Sequence, residues 1–295
     1  MRLRQFVCGL FICACGAFGG EKPALVPPTQ EQQSQVPQWS FDLKSDYTSG
    51  SKIMKAGSLG PQAAYHYEIE ALRDIHIFDK YYFQIGADWE RFDFSRSNAV
   101  FPYSITGLAS EIDVSYWTGD EFHPLLKLEP GVFYTRDHIT RNSFDIPIRA
   151  VAGMKIREDL YLVAGLDADP FEQDPVIPIG GVNWKINDQF NMRAVFPEPR
   201  FSYTPNNVWE IFMAGDLVGG GYRNGPTNDR RTSNAVLDYT GYRVDGGIGF
   251  NPSKGLSIET TVGWSIERRF DYFRSGTDYS SKSAPYVKVD LSIDL

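Results

Sequence analysis

The sequence predicts an all-β chain folded as a single antiparallel up-and-down transmembrane β-barrel of about 14 strands, with 12 as the alternative count. Three observations predict it: side-chain alternation with a period of two over runs of about ten residues, connections that alternate between short and long, and an N-terminal segment suited to export.

The alternation is clearest toward the C-terminus. Leu256, Ile258, Thr260, Val262, Trp264 and Ile266 share one face, and Ser257, Glu259, Thr261, Gly263, Ser265 and Glu267 the other. Val287, Val289, Leu291, Ile293 and Leu295 alternate with Tyr286, Lys288, Asp290, Ser292 and Asp294. Tyr81, Phe83, Ile85, Ala87 and Trp89 do the same against Tyr82, Gln84, Gly86, Asp88 and Glu90. Successive side chains of a strand point to opposite faces, so such runs are strands with one apolar and one polar face. A tilted membrane strand needs about 9–11 residues, and these runs reach that length. Soluble sandwich strands average about five or six.

The strands are placed at 39–46, 62–73, 81–92, 111–117, 124–135, 145–156, 160–167, 176–186, 190–196, 200–204, 208–222, 235–250, 256–268 and 284–295. Short polar turns fall at 78–80, 118–120, 157–159, 187–188, 204–207 and 251–255; longer loops are expected at 47–61, 93–110, 136–144, 168–175, 223–234 and 269–283. Fourteen strands put every short turn and both termini on one rim, as an outer-membrane barrel requires. Twelve would move the 251–255 turn to the opposite rim. The short Phe196-Pro197-Glu198-Pro199 stretch breaks the pattern, because a long loop belongs there.

Residues 1–19 read as a signal peptide: Arg2 and Arg4, an apolar core from Phe6 to Ile12, then small residues with Ala17-Phe18-Gly19 before a cleavage point at Gly20. Ile12-Cys13-Ala14-Cys15 weakly resembles a lipoprotein cleavage box, which would instead leave a lipid on Cys15; a barrel needs no such anchor. All three cysteines fall in this segment, so an exported chain has no disulfide or thiolate site. Residues 20–38 are rich in Pro and Gln without periodicity and read as a disordered leader; 39–295 read as one barrel domain. The formal charge is −8 for the whole chain and −10 without residues 1–19, which speaks against nucleic acid as a partner.

Met154-Lys155-Ile156-Arg157-Glu158-Asp159-Leu160-Tyr161, the Phe196–Pro199 stretch, Gly219-Gly220-Gly221-Tyr222-Arg223 and Ala284-Pro285-Tyr286 resemble segments of predicted bacterial outer-membrane β-barrel families of unknown function. The resemblance spans Trp39 to Leu295 and implies the cell outer membrane as location. It also implies lipid, lipopolysaccharide and the barrel-assembly machinery as partners. The chain departs from such barrels in ending Ile293-Asp294-Leu295, without a terminal aromatic residue.

Chemistry is sparse. Of the four histidines, His66, His76, His123 and His138, His66 lies on the face of Glu68 and Glu70; this pattern suits a metal or a base, but more often a solvated interior histidine. Asp167, Asp169, Asp271 and Asp278 could bind calcium, though acidic loops are usually just solvated, and Gly219–Gly221 read as a strand bend rather than a phosphate loop. Arg230-Arg231 and Arg268-Arg269 are placed in loops, where they could meet lipopolysaccharide. No catalytic residue, cofactor or metal is expected. The polar faces would line the lumen: Glu68, Glu70, Gln84, Asp88, Glu90, Asp113, Glu129, Arg193, Glu210, Asp216, Arg243, Asp245, Glu259, Glu267, Lys288 and Asp290. This mainly acidic set suggests porin-like passage of small solutes. The alternative is a non-conducting structural or surface-binding barrel that acts through its long loops, and an enzyme is the remotest reading.

Overall fold

The computed structural model describes residues 39–55, 57–78, 80–116, 122–136, 138–272 and 275–295. The expected signal peptide (1–19), the leader (20–38) and the turn at 118–120 lie outside the described residues.

Fourteen strands form the barrel: β1 (Trp39–Lys55), β2 (Gly57–Phe78), β3 (Tyr81–Phe94), β4 (Ser104–Tyr116), β5 (Phe122–Leu128 continued by Gly131–Thr135), β6 (Phe144–Asp145 continued by Ile148–Arg157), β7 (Leu160–Ala168), β8 (Val176–Lys185), β9 (Phe190–Phe196), β10 (Arg200–Tyr203), β11 (Trp209–Arg223), β12 (Val236–Ser253), β13 (Leu256–Tyr272) and β14 (Thr277–Ser281 continued by Ala284–Asp294). Each strand pairs antiparallel with the next. β14 returns to β1 with Ser40 opposite Asp294 and Thr48 opposite Tyr286, so the sheet closes and has no free edge. The interruptions of β5 and β6 fall at Pro130 and Pro147, which have no N–H to give the ladder. Both halves of β5 still pair with β4.

Closure explains the inverted burial. Polar side chains such as Asp42, Lys44, His66, Glu68, Glu70, Asp113 and Glu259 point inward and are buried. Their alternate neighbours Ile69, Ile85, Val262, Trp264 and Val287 are exposed on the outside, Val262 at 61%. An apolar surface that encircles the molecule suits hydrocarbon rather than water. Aromatic pairs mark the short-turn rim: Tyr81 on Tyr116 and Trp209 on Phe250, each 4.7 Å between centroids, and Phe190 on Tyr203 at 4.8 Å. These rings form the aromatic girdle expected at a membrane interface.

The expected loop at 47–61 is a correction. β1 runs on to Lys55 and β2 starts at Gly57, so this segment is a long β-hairpin with register shifts after Thr48 and Lys52. Its Ser, Gly and Pro residues read as turn formers, yet the bulges absorb them without ending the strands. At the 93–110 and 269–283 loops, too, strands outrun the sequence expectation, with β4 starting at Ser104 and β13 ending at Tyr272.

Toward the loop end the barrel forks. β9 and the four-residue β10 form a low wall joined by Pro197–Pro199, whose Phe196–Pro197 bond is cis. β11 leaves β10 after Ala214, where Gly215 N donates to Pro199 O (2.9 Å). Its upper part, relieved of that neighbour, bends across the lumen. Gly219 has φ +112°, and a Cβ there would meet Tyr239 O at 1.9 Å, so this bend demands glycine. β11 then reaches β5: Arg223 pairs in parallel with Tyr134, and Thr135 Oγ1 donates to Asn224 Oδ1 (2.5 Å). The loop between β7 and β8 wedges behind the bent arm. Phe171 lies so close to Gly221 that any side chain at 221 would clash, and Gln173 N donates to Asp238 Oδ2 (2.7 Å). Val236 to Tyr239 are consequently buried on both faces. The upper lumen is bounded by β1–β5 and β11–β14, while β6–β10 complete the wall only below.

Candidate functional site

The lumen has two zones. Beneath the fork the inward side chains are charged and tied to one another. On one wall Lys44 Nζ donates to Glu68 Oε1 (2.6 Å), and Lys127 pairs with Glu111 (2.8 Å) and Glu129 (3.2 Å). On the facing wall Arg200 bridges Glu210 (3.0 Å) and Glu259 (2.9 Å) while stacking on Phe212. Arg243 grips both oxygens of Asp46 at 2.9 and 3.0 Å and lies over Tyr286. Tyr286 donates to Asp245, and Lys288 pairs with Asp290 (3.2 Å). Arg149 makes two bonds to Asp167, and Arg193 approaches Glu198 at 3.8 Å.

The two walls are unequal. β2 to β5 bring together Glu68, Glu70, Asp88, Glu90, Glu111, Asp113 and Glu129, against the ammoniums of Lys44 and Lys127. Register sets Glu68 directly opposite Glu90, and Glu70 opposite Asp88. Like charges in that relation repel. Glu70 is buried among these acids, with the charges of Lys127 and Lys44 acting on it.

Above lies an aromatic seal. Phe92, Phe94, Phe101, Tyr222, Tyr239, Phe270, Tyr272 and Tyr279 cluster with Ile53, Ile105, Val218 and Leu237. Phe101 stacks on Phe270 at 4.2 Å, and Tyr239 stands edge-on to Phe92 at 4.9 Å. These rings fill the space between the bent arm and β1–β4. Outside them, a cleft of about 680 Å³ opens between the tips of β1, β13 and β14, lined by Met54, Lys55, Gln173, Asp271 and Tyr279.

His66 joins the zones. It stacks on Phe92 (4.1 Å), Nδ1 reaches Asp46 Oδ2 (2.7 Å), and Nε2 reaches Glu90 Oε1 (3.0 Å). Tyr222, on the bent arm, donates to the other Glu90 oxygen (2.7 Å). The His66–Asp46 dyad meets part of what a catalytic reading requires, but the far nitrogen faces a carboxylate and no serine or threonine hydroxyl bonds to the ring among the described residues.

Of the residues placed in the lumen from sequence, Glu68, Glu70, Glu90, Asp113, Glu129, Arg243, Glu259 and Asp290 are buried or half-buried in the charged zone, as are Asp88, Arg193, Glu210, Asp216, Asp245 and Lys288. Gln84 donates to Asp74 (2.6 Å) toward the short-turn end. Glu267 is a correction. β13 and β12 shift register at Tyr242–Arg243, so Ser265 opposes Arg243 while Glu267 opposes Tyr242. The bulge reverses the alternation: Glu267 pairs with Arg269 on the outside (2.9 Å). Arg268, expected in a loop with Arg269, turns inward, where it is buried and donates to Ser51 Oγ and Gln62 O. Lys44, Asp46, Glu111, Lys127 and Arg200 escaped the sequence reading, although the Asp42-Leu43-Lys44-Ser45-Asp46 alternation carries a signal for two of them.

The wedge loop carries its own acids. Burial and the neighbouring Asp145 push the Asp169 carboxyl up to about 8, and burial beside Asp169 raises Glu172 well above the usual carboxylate range.

No family model and no curated protein matches the sequence. Similar solved structures include an outer-membrane channel from Pseudomonas putida F1 (TM-score 0.49, 10% identity, 92% of this chain and 98% of that one). The Pseudomonas putida toluene transporter TodX is also similar (0.46, 11%, 96% of each chain). So is a Pseudomonas aeruginosa FadL homologue (0.46, 10%, 98% of each). Strand closure, apolar exterior and polar interior define this chain as a 14-stranded β-barrel of the outer-membrane type.

Proposed function

We propose that this barrel resides in the bacterial outer membrane and passes small solutes with a preference for cations. The observation that carries the reading is the acidic wall: seven carboxylates on β2–β5 outnumber the ammoniums of Lys44 and Lys127 set against them, and Glu70 is buried among these acids. A lumen with fixed excess negative charge favours cation entry. Passage requires the bent upper part of β11 and β12, which packs the aromatic seal, to swing toward the low β9–β10 wall.

Single-channel conductance of the purified barrel in a planar bilayer under a salt gradient tests this. Openings that favour cations are expected, and Glu68→Gln, Glu70→Gln and Glu90→Gln together should weaken the preference. A folded barrel that stays silent even with its seal disrupted would sink the passage reading. The second reading, a non-conducting barrel that binds at its loops, is favoured by the filled upper lumen and the 680 Å³ rim cleft. It would then stand.

A further inference from the structure

We propose that His66, Glu68 and Glu90 form a binding site for a divalent transition metal of the zinc class, at the boundary between the charged zone and the aromatic seal. The geometry comes from strand register. His66 and Glu68 lie two residues apart on the inward face of β2, and Glu90 stands directly opposite Glu68 on β3. One ligand atom from each lies within 4.8 Å of the others. Tetrahedral zinc ligands, at about 2.0–2.2 Å from the ion, stand roughly 3.3 Å apart. Small rotamer adjustments close that difference, and no cavity is needed for so small an ion.

Two observations separate this group from an ordinary acidic cluster. The first is orientation. Asp46 Oδ2 holds His66 Nδ1 at 2.7 Å, which leaves Nε2 on Glu90 Oε1 at 3.0 Å with a ligand atom of Glu68 in the same 4.8 Å group. This carboxylate–histidine arrangement is what orients a metal-binding imidazole and raises its basicity. Asp46 is itself fixed by both Arg243 nitrogens, and the ring is clamped flat on Phe92. The second is an unused donor. Glu68 is 2% exposed; Lys44 takes its Oε1, and its Oε2 has no partner among the described residues. A buried carboxylate oxygen left unsatisfied is costly, and a cation at this place relieves it.

Binding exchanges one cation for another. The proton between His66 Nε2 and Glu90 Oε1 leaves to solvent, the ion takes its place, and Glu68 Oε2 completes a three-ligand set with an open position facing the lumen. Glu90 keeps its second oxygen on Tyr222, so the ion is tied to the bent arm that seals the lumen. The site is independent of whether the barrel conducts.

The test is titration of the full-length folded protein with Co²⁺, read by visible absorption, and with Zn²⁺, read by calorimetry. One equivalent per chain is expected, with a cobalt spectrum of low-coordinate nitrogen and oxygen ligation. His66→Gln and Glu90→Gln should each weaken binding about 100-fold or more, and Asp46→Asn by about 10–100-fold. Glu210→Gln, on the other wall, should leave it unchanged. Absence of stoichiometric binding by the unaltered protein overturns the proposal without recourse to any variant. Undiminished binding by folded Glu90→Gln or His66→Gln also overturns it.

Discussion

The two halves of the lumen solve the same packing problem with opposite chemistry. Below the fork, inward positions are held by ion pairs such as Arg243–Asp46 and Arg200–Glu259. Above it, equivalent positions on the same strands are held by Phe92, Tyr239 and Phe270. The change occurs within single strands: on β3 from Glu90 to Phe92, on β12 from Arg243 to Tyr239. A polar lower zone tolerates water, whereas a ring cluster excludes it. On the proposed function, the barrier to passage lies at the loop end and the charge selectivity below it.

The comparison breaks most severely at its ionic anchor. Arg243→Ala leaves the buried Asp46 carboxylate with His66 Nδ1 but without its guanidinium, and loss of one partner of a buried pair costs about 3–5 kcal/mol. Urea unfolding of the refolded barrel should show a loss of that order; a loss under about 1 kcal/mol would mean that lumen water already screens the pair. Phe270→Ala tests the other half. It removes the ring that touches Phe94, Phe101 and Tyr239, at a cost of about 3 kcal/mol. It should also raise conductance, an effect that Arg243→Ala does not share. Equal conductance in both variants would abolish the assignment of the barrier to the seal.

Gly219→Val sharpens the comparison at the fork. A branched residue at φ +112°, pressed on Tyr239 O, costs about 1–3 kcal/mol in the bent arm. The lower barrel should remain intact, so heat-modifiable gel migration persists while cysteine cross-linking between positions 134 and 223 falls. Unchanged cross-linking would show that β11 bends without help from Gly219.

Period-two alternation captured the polarity of each face, and the alternation of short and long connections the strand number, because both are local patterns. It could not capture the fork. The Tyr134–Arg223 pairing joins residues far apart in the chain, and Phe101 enters the seal from a loop. Gly219–Gly221 did announce a bend, without saying what the bent strand would meet. Glu267 was misplaced for a local reason: one bulged residue reverses the phase of every side chain after it. The ion-pair partners Lys44, Lys127 and Arg200 gained significance only when closure set them against acids on other strands.

A pH-dependent effect concerns the wedge loop, which docks behind the bent arm. Asp169 is half-buried beside Asp145, and desolvation together with its hydrogen bond to Asp145 holds its carboxyl protonated up to about pH 8 in the docked loop, against the opposing bond from Phe171 N to Oδ1 (2.6 Å). In an undocked loop the same carboxyl ionises near pH 4. Docking is therefore strongest below about pH 4, weakens as pH rises because only the undocked form loses its proton, and levels off above about 8. Glu172, also raised by burial, adds in the same direction, while Arg149 opposes it. Amide-exchange protection of residues 169–175, corrected for the intrinsic pH dependence of exchange, should fall between pH 6 and 8. Asp169→Asn fixes the neutral form, so the fall should flatten to the share left by Glu172. A slope unchanged by that substitution would remove Asp169 from the coupling and leave Phe171 packing on Gly221 as what docks the loop.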